Sequence, residues 1–256
     1  MTTTSICAST QDDIFVRGRS LPGELIGNLS FTGMIVFQML GRVPSPGQTA
    51  VVDACLVTLM EHGLTPSALA TRLVYSSAPD AMQGAVAAGL LAVGGRFVGT
   101  TEGCARLLPR IAAATDPAAE AAAVVAEHRA ARAPLPGFGH HQHVPDDPRT
   151  PSLFAVARAH GVAGRHVAAL ETLSAALDAA LGRHVTINAT GAIAAALLDC
   201  DIPAEIMRGF ALIARCAGLV GHVHEEQQRP ALTAIWEAAE RAVPYDGGTP
   251  SRGDTP

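Results

Sequence analysis

Residues 137–149 read GFGHHQHVPDDPR, and this stretch decides how the rest of the chain is read. A glycine-rich turn delivers His140, and nine positions later Asp147-Pro148-Arg149 delivers a guanidinium. A histidine and an arginine held at one mouth can bind a carboxylate while polarising the oxygen beside it. Pro134, Pro136, Pro145, Pro148 and Pro151 surround the motif. Each removes a backbone donor and pushes the residue before it away from helical dihedrals, so residues 133–151 are expected to form an ordered, non-helical loop.

On both sides of this loop the signals are helical. Apolar residues recur at helical spacing from Thr49 to Met60, and the pattern breaks at Glu61-His62-Gly63. Ser67 can cap a short helix through Tyr75, and Asp80 to Gly94 forms another. In the latter, Gly84, Ala87, Ala88 and Leu91 give a small-residue face suited to close packing, as at a dimer interface. Asp116-Pro117 starts a helix that runs to about Arg132, because proline is tolerated at the first helical position. Further helices are expected at about 152–160, 165–181, 191–198, 203–220 and 230–243, followed by a disordered tail from Asp246. The one period-2 run is Val185–Ile187. The fold class is therefore all-α.

Composition narrows the function. The chain has 256 residues, 48% hydrophobic and only 4% aromatic, enough to bury a sizeable core of closely packed helices. A formal net charge of −5 offers no basic stripe for phosphate backbones, so nucleic acid is not an expected partner. The longest uncharged stretch, Ala81–Gly95, is too short to cross a bilayer. Five scattered cysteines (Cys7, Cys55, Cys104, Cys200, Cys216) form no C-x-x-C pair, which fits reduced thiols and a cytoplasmic location.

The 137–149 motif resembles the G-x-G-H…D-P-R loop of the citrate synthase superfamily. Other segments fall into the same order. Glu61-His62-Gly63 resembles the turn that supplies an active-site histidine; residues 90–101 (LLAVGGRFVGTT) stand where synthases carry G-P-L-H-G-G. NATGAI at 188–193 stands where many members carry a catalytic aspartate, and Arg215 with GHVHEEQQRP at 221–230 resembles the arginine and A-H-x-x-E-Q segments. The likeness covers about residues 22–245. It is strongest to the citryl-CoA lyase module of ATP-citrate lyase, which reads G-D-R-F where this chain has Gly95-Arg96-Phe97. Phe97 thus replaces the enol-stabilising histidine of synthases, Thr190 replaces the aspartate, and His141 replaces an arginine.

The resemblance implies a citrate synthase-like homodimer. Its large domain would comprise residues 1–108 and 206–256, with a small domain, 109–205, inserted between them. It implies cleavage of citryl-CoA, or a related 3-hydroxy-3-carboxyacyl-CoA, to acetyl-CoA and oxaloacetate or a related 2-oxoacid, or the reverse condensation. The coenzyme A thioester enters as substrate, and no tightly bound cofactor is expected. On this reading His140 contacts the carbinol or carbonyl oxygen and acts as acid–base. His62 orients the oxaloacetate end. Arg149 and Arg215 clamp carboxylates, with Arg229 completing the clamp, and Arg96, Gly137 and Gly139 meet the coenzyme. Thr190 stays protonated near neutral pH, but it can donate a hydrogen bond or hold a water.

Three consequences of Thr190 stay open: another group (Glu61, His141 or His222) serves as the acid, the substrate differs, or the chain binds acyl-CoA or carboxylates without chemistry. A synthase that also hydrolyses the thioester is a further alternative. Plainer readings exist for single residues. D-P-R can be a capped turn, His62 can serve a helix end, and Glu225 and Glu226 can simply pair with arginines. His140, His141, His143, His222 and His224 include H-x-H spacing, but no cysteine or carboxylate completes a known pattern, so no metal is expected.

Overall fold

The computed structural model describes residues 2–140 and 142–247, with all side chains in that range except those of residues 96–98. Among the described residues the chain is helical, apart from a small N-terminal sheet. Two compact units divide it: residues 1–62 with 93–215, and residues 63–92 with 216–256.

The first unit opens with an antiparallel sheet of β1 (Cys7–Ser9), β2 (Ile14–Val16) and β3 (Arg19–Ser20). Arg17 and Gly18, both at positive φ, form the two-residue turn between β2 and β3, matching the handedness that hairpin strands require. Its helices are α1 (Phe31–Leu40), α2 (Pro46–Met60), α5 (Gly95–Ala112), α6 (Pro117–Ala130), α7 (Arg149–Ala159), α8 (Arg165–Leu181), α9 (Ala189–Asp199) and the start of α10 (Met207–Gln228).

The N-termini follow from local chemistry. Ser45 and Gln48 form a reciprocal capping box on α2, Asp116 accepts from the N–H groups of Ala118 and Ala119 on α6, and Pro46 and Pro117 stand where a missing donor costs nothing. The core is organised around α9. Residues 191–197 of this helix are buried on every side, and it contacts α2, α5, α7 and α8. Four alanines in that run let the neighbours close towards the lower end of the usual ~8–10 Å axis separation.

The second unit contains α3 (Pro66–Ser77), α4 (Met82–Leu91), the C-terminal part of α10 and α11 (Leu232–Ala242). Ala68, Ala85, Val86, Leu219 and Val223 form its apolar cluster. Its polar centre is Arg72, which donates to Glu225, to Glu226 Oε2 at 2.8 Å and to His222 Nδ1 at 3.0 Å. Glu226 also accepts from Ser76 and from the Ala231 N–H. Burying Arg72 is tolerable because every side of its guanidinium is satisfied.

Several elements differ from the sequence expectation. The sheet is made of strands too short to show alternation. Helix α1 and helix α5 form where none was read; α5 contains Gly95, Gly99, Gly103 and Pro109, which depress its intrinsic propensity, but tertiary packing buries Cys104, Ala105, Leu108 and Ile111. The 133–151 loop ends earlier than expected, at Pro148, because Pro151 falls in the first turn of α7, where its missing N–H has no helical partner to lose. Helix α10 runs through GHVHEEQQ to Gln228. Residues 204–228 are long and apolar enough to cross a membrane, but they contain Arg208, Arg215 and Glu226 and supply the core residues Met207, Phe210, Leu219 and Val223. The expected tail from residue 248 onward lies outside the described residues.

Candidate active site

The 137–149 loop is seated against the N-terminus of α9 by backbone pairing. Phe138 and Ile187 form an isolated antiparallel bridge, the one point at which the short Val185–Ile187 run is bridged among the described residues. The Gly139 N–H donates to Thr186 O at 2.8 Å, and the Asn188 N–H donates to Gly137 O at 3.1 Å. Gly137 has a φ of +89° and no room for a side chain: a Cβ there would lie 2.8 Å from Cys104 Sγ and 3.0 Å from Gly191 Cα. The buried Cys104 thiol is pushed by burial up to about 12, so it is a packing group and not a nucleophile.

Asn188 caps α9 and clasps the loop. Its Oδ1 accepts from the Gly191 N–H and its Nδ2 donates to Gly139 O at 2.9 Å. Thr190, the second residue of α9, donates its single hydroxyl proton to Asn188 Oδ1 at 2.6 Å and accepts from Thr100 Oγ1 at 3.0 Å. Thr190 is therefore a hydroxyl relay that fixes the cap.

Asp147 is the anchor of the motif. It is buried, and its two oxygens accept from the Arg149 backbone N–H, from Arg149 Nε at 2.9 Å and Nη2 at 2.8 Å, and from the Ala189 N–H at 3.0 Å. Burial alone would raise its pKa; the hydrogen bonds from Arg149 and Ala189 outweigh it and hold the carboxyl at about 2. Asp147 thus serves as a fork-on-fork partner that aims Arg149.

Arg149 Nη2 lies 3.4 Å from His140 Nε2. The other ring nitrogen, Nδ1, accepts the backbone N–H groups of Gln142 at 3.1 Å and His143 at 3.0 Å. An imidazole whose Nδ1 accepts must, when neutral, carry its proton on Nε2. Two donors, Nε2–H of His140 and an N–H of Arg149, therefore stand side by side, where a single oxygen can accept from both.

His62 follows α2 directly, and its ring meets His140 edge-on, with centroids 6.0 Å apart and planes at 88°. His143 stacks on His140 at 4.4 Å with planes at 26°. One nitrogen from each of the three rings lies within 4.8 Å of the others. Such a triad can ligate a metal, but metal-bound histidines use the second ring nitrogen to donate to an acceptor. His140 has the reverse polarity, since its second nitrogen receives two N–H groups. The residues present fit an oxygen better than a cation.

Arg215 is half-buried on α10, and its Nη1 is buried without a hydrogen-bond partner among the described residues. Burial lowers its pKa and the Glu61 carboxylate opposes that shift, so an anionic ligand is the natural complement. Arg208, two turns earlier on the same face, shares this feature at Nε and meets Glu102 at 3.4 Å through Nη2. Sequence reading passed over Arg208, and also over the anchoring part of Asp147; a second arginine seven residues before Arg215 was the signal for the first.

The first unit thus brings together His62, His140 and Arg149 with the glycines 137 and 139, and holds Thr190 in the clasp of the same loop. Arg229 belongs to the second unit, exposed just beyond α10, where its charge acts on Glu225. Also in that unit, Glu225 and Glu226 pair with Arg72, as does His222. Arg96 lies on α5, but its side chain, like that of Phe97, is outside the described set, and His141 is outside the described residues altogether.

The architecture matches known structures closely. Citryl-CoA lyase from Hydrogenobacter thermophilus superposes with a TM-score of 0.88 at 30% identity, covering 100% of this chain and 98% of that one. ATP citrate lyase from Methanothrix soehngenii, solved with citrate and coenzyme A, shares the fold with a TM-score of 0.77 at 18% identity, over 100% of this chain and 43% of that one. Putative citrate synthase 2 of Mycobacterium tuberculosis H37Rv is 30% identical over 191 residues, 72% of this chain and 49% of that protein, so the chain spans about half the length of this curated relative. The model of the citrate synthase C-terminal domain matches residues 4–236, and the chain belongs to the citrate synthase family.

Proposed function

We propose that the chain is a carbon–carbon lyase of the citryl-CoA lyase type, acting on citryl-CoA or a related 3-hydroxy-3-carboxyacyl-CoA. The observation that carries this reading is the donor pair of His140 Nε2–H and Arg149, 3.4 Å apart. A carbinol or carbonyl oxygen flanked by a carboxylate is complementary to that pair, and oxaloacetate and the citryl carbinol both present one. In cleavage the carbinol proton passes to solvent water as the oxygen becomes a carbonyl, and the carbon–carbon bond electrons pass to the thioester enolate. The enolate carbon then takes a proton from solvent water, and the product leaves as acetyl-CoA. Donors aimed at the oxygen stabilise its developing negative charge. His62 borders the same oxygen, and Arg215 supplies a cation for a second carboxylate. Arg229 and Arg96 are further candidates for carboxylate and coenzyme contacts. A homodimer, a cytoplasmic location and a large domain (1–108, 206–256) enclosing a small one (109–205) belong to the same proposal.

One observation favours a second reading. Thr190 spends its proton on Asn188, so the family's acid is missing and a chain that binds acyl-CoA or carboxylates without turnover is the alternative. Incubation of the purified protein with citryl-CoA and identification of the products separates the readings. Acetyl-CoA with oxaloacetate supports the lyase. Citrate with free coenzyme A indicates thioester hydrolysis, and tight binding without products indicates the silent chain.

A further inference from the structure

His143 contributes its backbone N–H to His140, but its ring has no part in the chemistry outlined above. We infer that this ring is a third hydrogen-bond donor to the substrate's carbinol or carbonyl oxygen, completing a cradle of three imidazoles with His62 and His140. The inference deepens the lyase reading and rests on it.

Three observations carry the inference. The participating nitrogens lie within 4.8 Å of one another, and any three points so spaced fit a circle of radius about 2.8 Å, so one central oxygen is within hydrogen-bond distance of all of them. The half-buried His143 ring is held by its stack on His140, 4.4 Å between centroids. Among the described residues it makes no hydrogen bond to protein, so its nitrogens are not committed elsewhere. The polarity of His140, whose Nδ1 accepts from Gln142 and His143, makes the cradle a donor site. Arg149 beside it selects an oxygen that neighbours a carboxylate, which specifies a 2-oxoacid or 2-hydroxyacid unit and not a simple aldehyde or ketone.

His143→Phe is the informative variant. It keeps an aromatic ring for the stack and leaves the backbone N–H in place, but removes both ring nitrogens. With citryl-CoA the expected result is a fall in kcat of roughly 10²-fold with KM little changed, because the lost donor matters most as charge builds on the oxygen. His143→Ala is expected to be no more than a few-fold worse. His143→Phe turning over at the wild-type rate overturns the inference, and full activity in His143→Phe with loss only in His143→Ala assigns the ring to stacking alone. Should the wild type release no oxaloacetate, the lyase reading fails first. Calorimetry with oxaloacetate in the presence of EDTA then decides: about tenfold weaker binding by His143→Phe supports the cradle, and equal binding overturns it. Stoichiometric Zn²⁺ uptake by the wild type that activity requires and that His143→Phe abolishes would make the triad a metal site and overturn the donor assignment.

Discussion

Gly137 and Gly191 meet backbone to backbone, so closely that a Cβ on Gly191 would stand 2.5 Å from Gly137 O and 3.0 Å from its Cα. This contact sets the distance between the histidine loop and the N-terminus of α9, and with it the placement of His140 relative to Asn188 and Thr190. Gly191→Ala is expected to destabilise the protein by about 1–3 kcal/mol through overpacking. Because the loop must shift to admit the methyl group, turnover should fall more than tenfold at temperatures where the variant is still folded. Thermal unfolding and steady-state kinetics on the same preparation check both parts.

Asp147 gives the site a pH signature. Its folded value of about 2 lies below the ordinary 3.8, so it adds stability that is fully present above about pH 4 and is lost as pH falls through about 2. The shift corresponds to about 2 kcal/mol. Asp147→Asn should lose this acid-range dependence, measured by denaturant unfolding between pH 2 and 5. At neutral pH it should also raise KM, because Arg149 loses the carboxylate that aims it.

Arg149→Lys keeps the charge but not the fork. A lysine cannot hold two contacts to Asp147 while reaching the oxygen beside His140. Affinity for oxaloacetate should weaken by roughly 10- to 100-fold in calorimetry, with stability lowered by up to about 2 kcal/mol as the buried Asp147 loses part of its fork. Unchanged affinity would remove Arg149 from the substrate site.

Thr190→Asp restores the residue type of the family without restoring its surroundings. An aspartate cannot donate to Asn188 Oδ1, which the Thr190 hydroxyl now reaches at 2.6 Å, and Asn188 cannot turn without giving up its bonds to Gly191 and Gly139. The expected outcome is a loss of activity of at least tenfold. A gain of activity would mean that the native threonine holds the chain in a silent state.

Much of the fold was legible because it rests on strong local signals: the Asp116 start, the helical spacing before Glu61, and the proline cluster around His140. What escaped was decided by tertiary packing. Helix α5 has three glycines and an internal proline, and only the burial of residues such as Leu108 and Ile111 makes it a helix. The β1–β3 strands are too short to show a period, although Arg17-Gly18 between them was a usable turn signal. At the site, the pairing of His140 with Arg149 could be anticipated from the motif. The meeting of His62 with His140 and His143 could not be read from spacing, since it joins residues about 80 positions apart.

The most direct test of the account is the rate at which the purified protein releases oxaloacetate from citryl-CoA, followed through malate dehydrogenase and NADH, against His140→Ala. The account predicts clear turnover by the wild type and a loss of roughly 10²- to 10⁴-fold in the variant. Equal rates for the two proteins would contradict it.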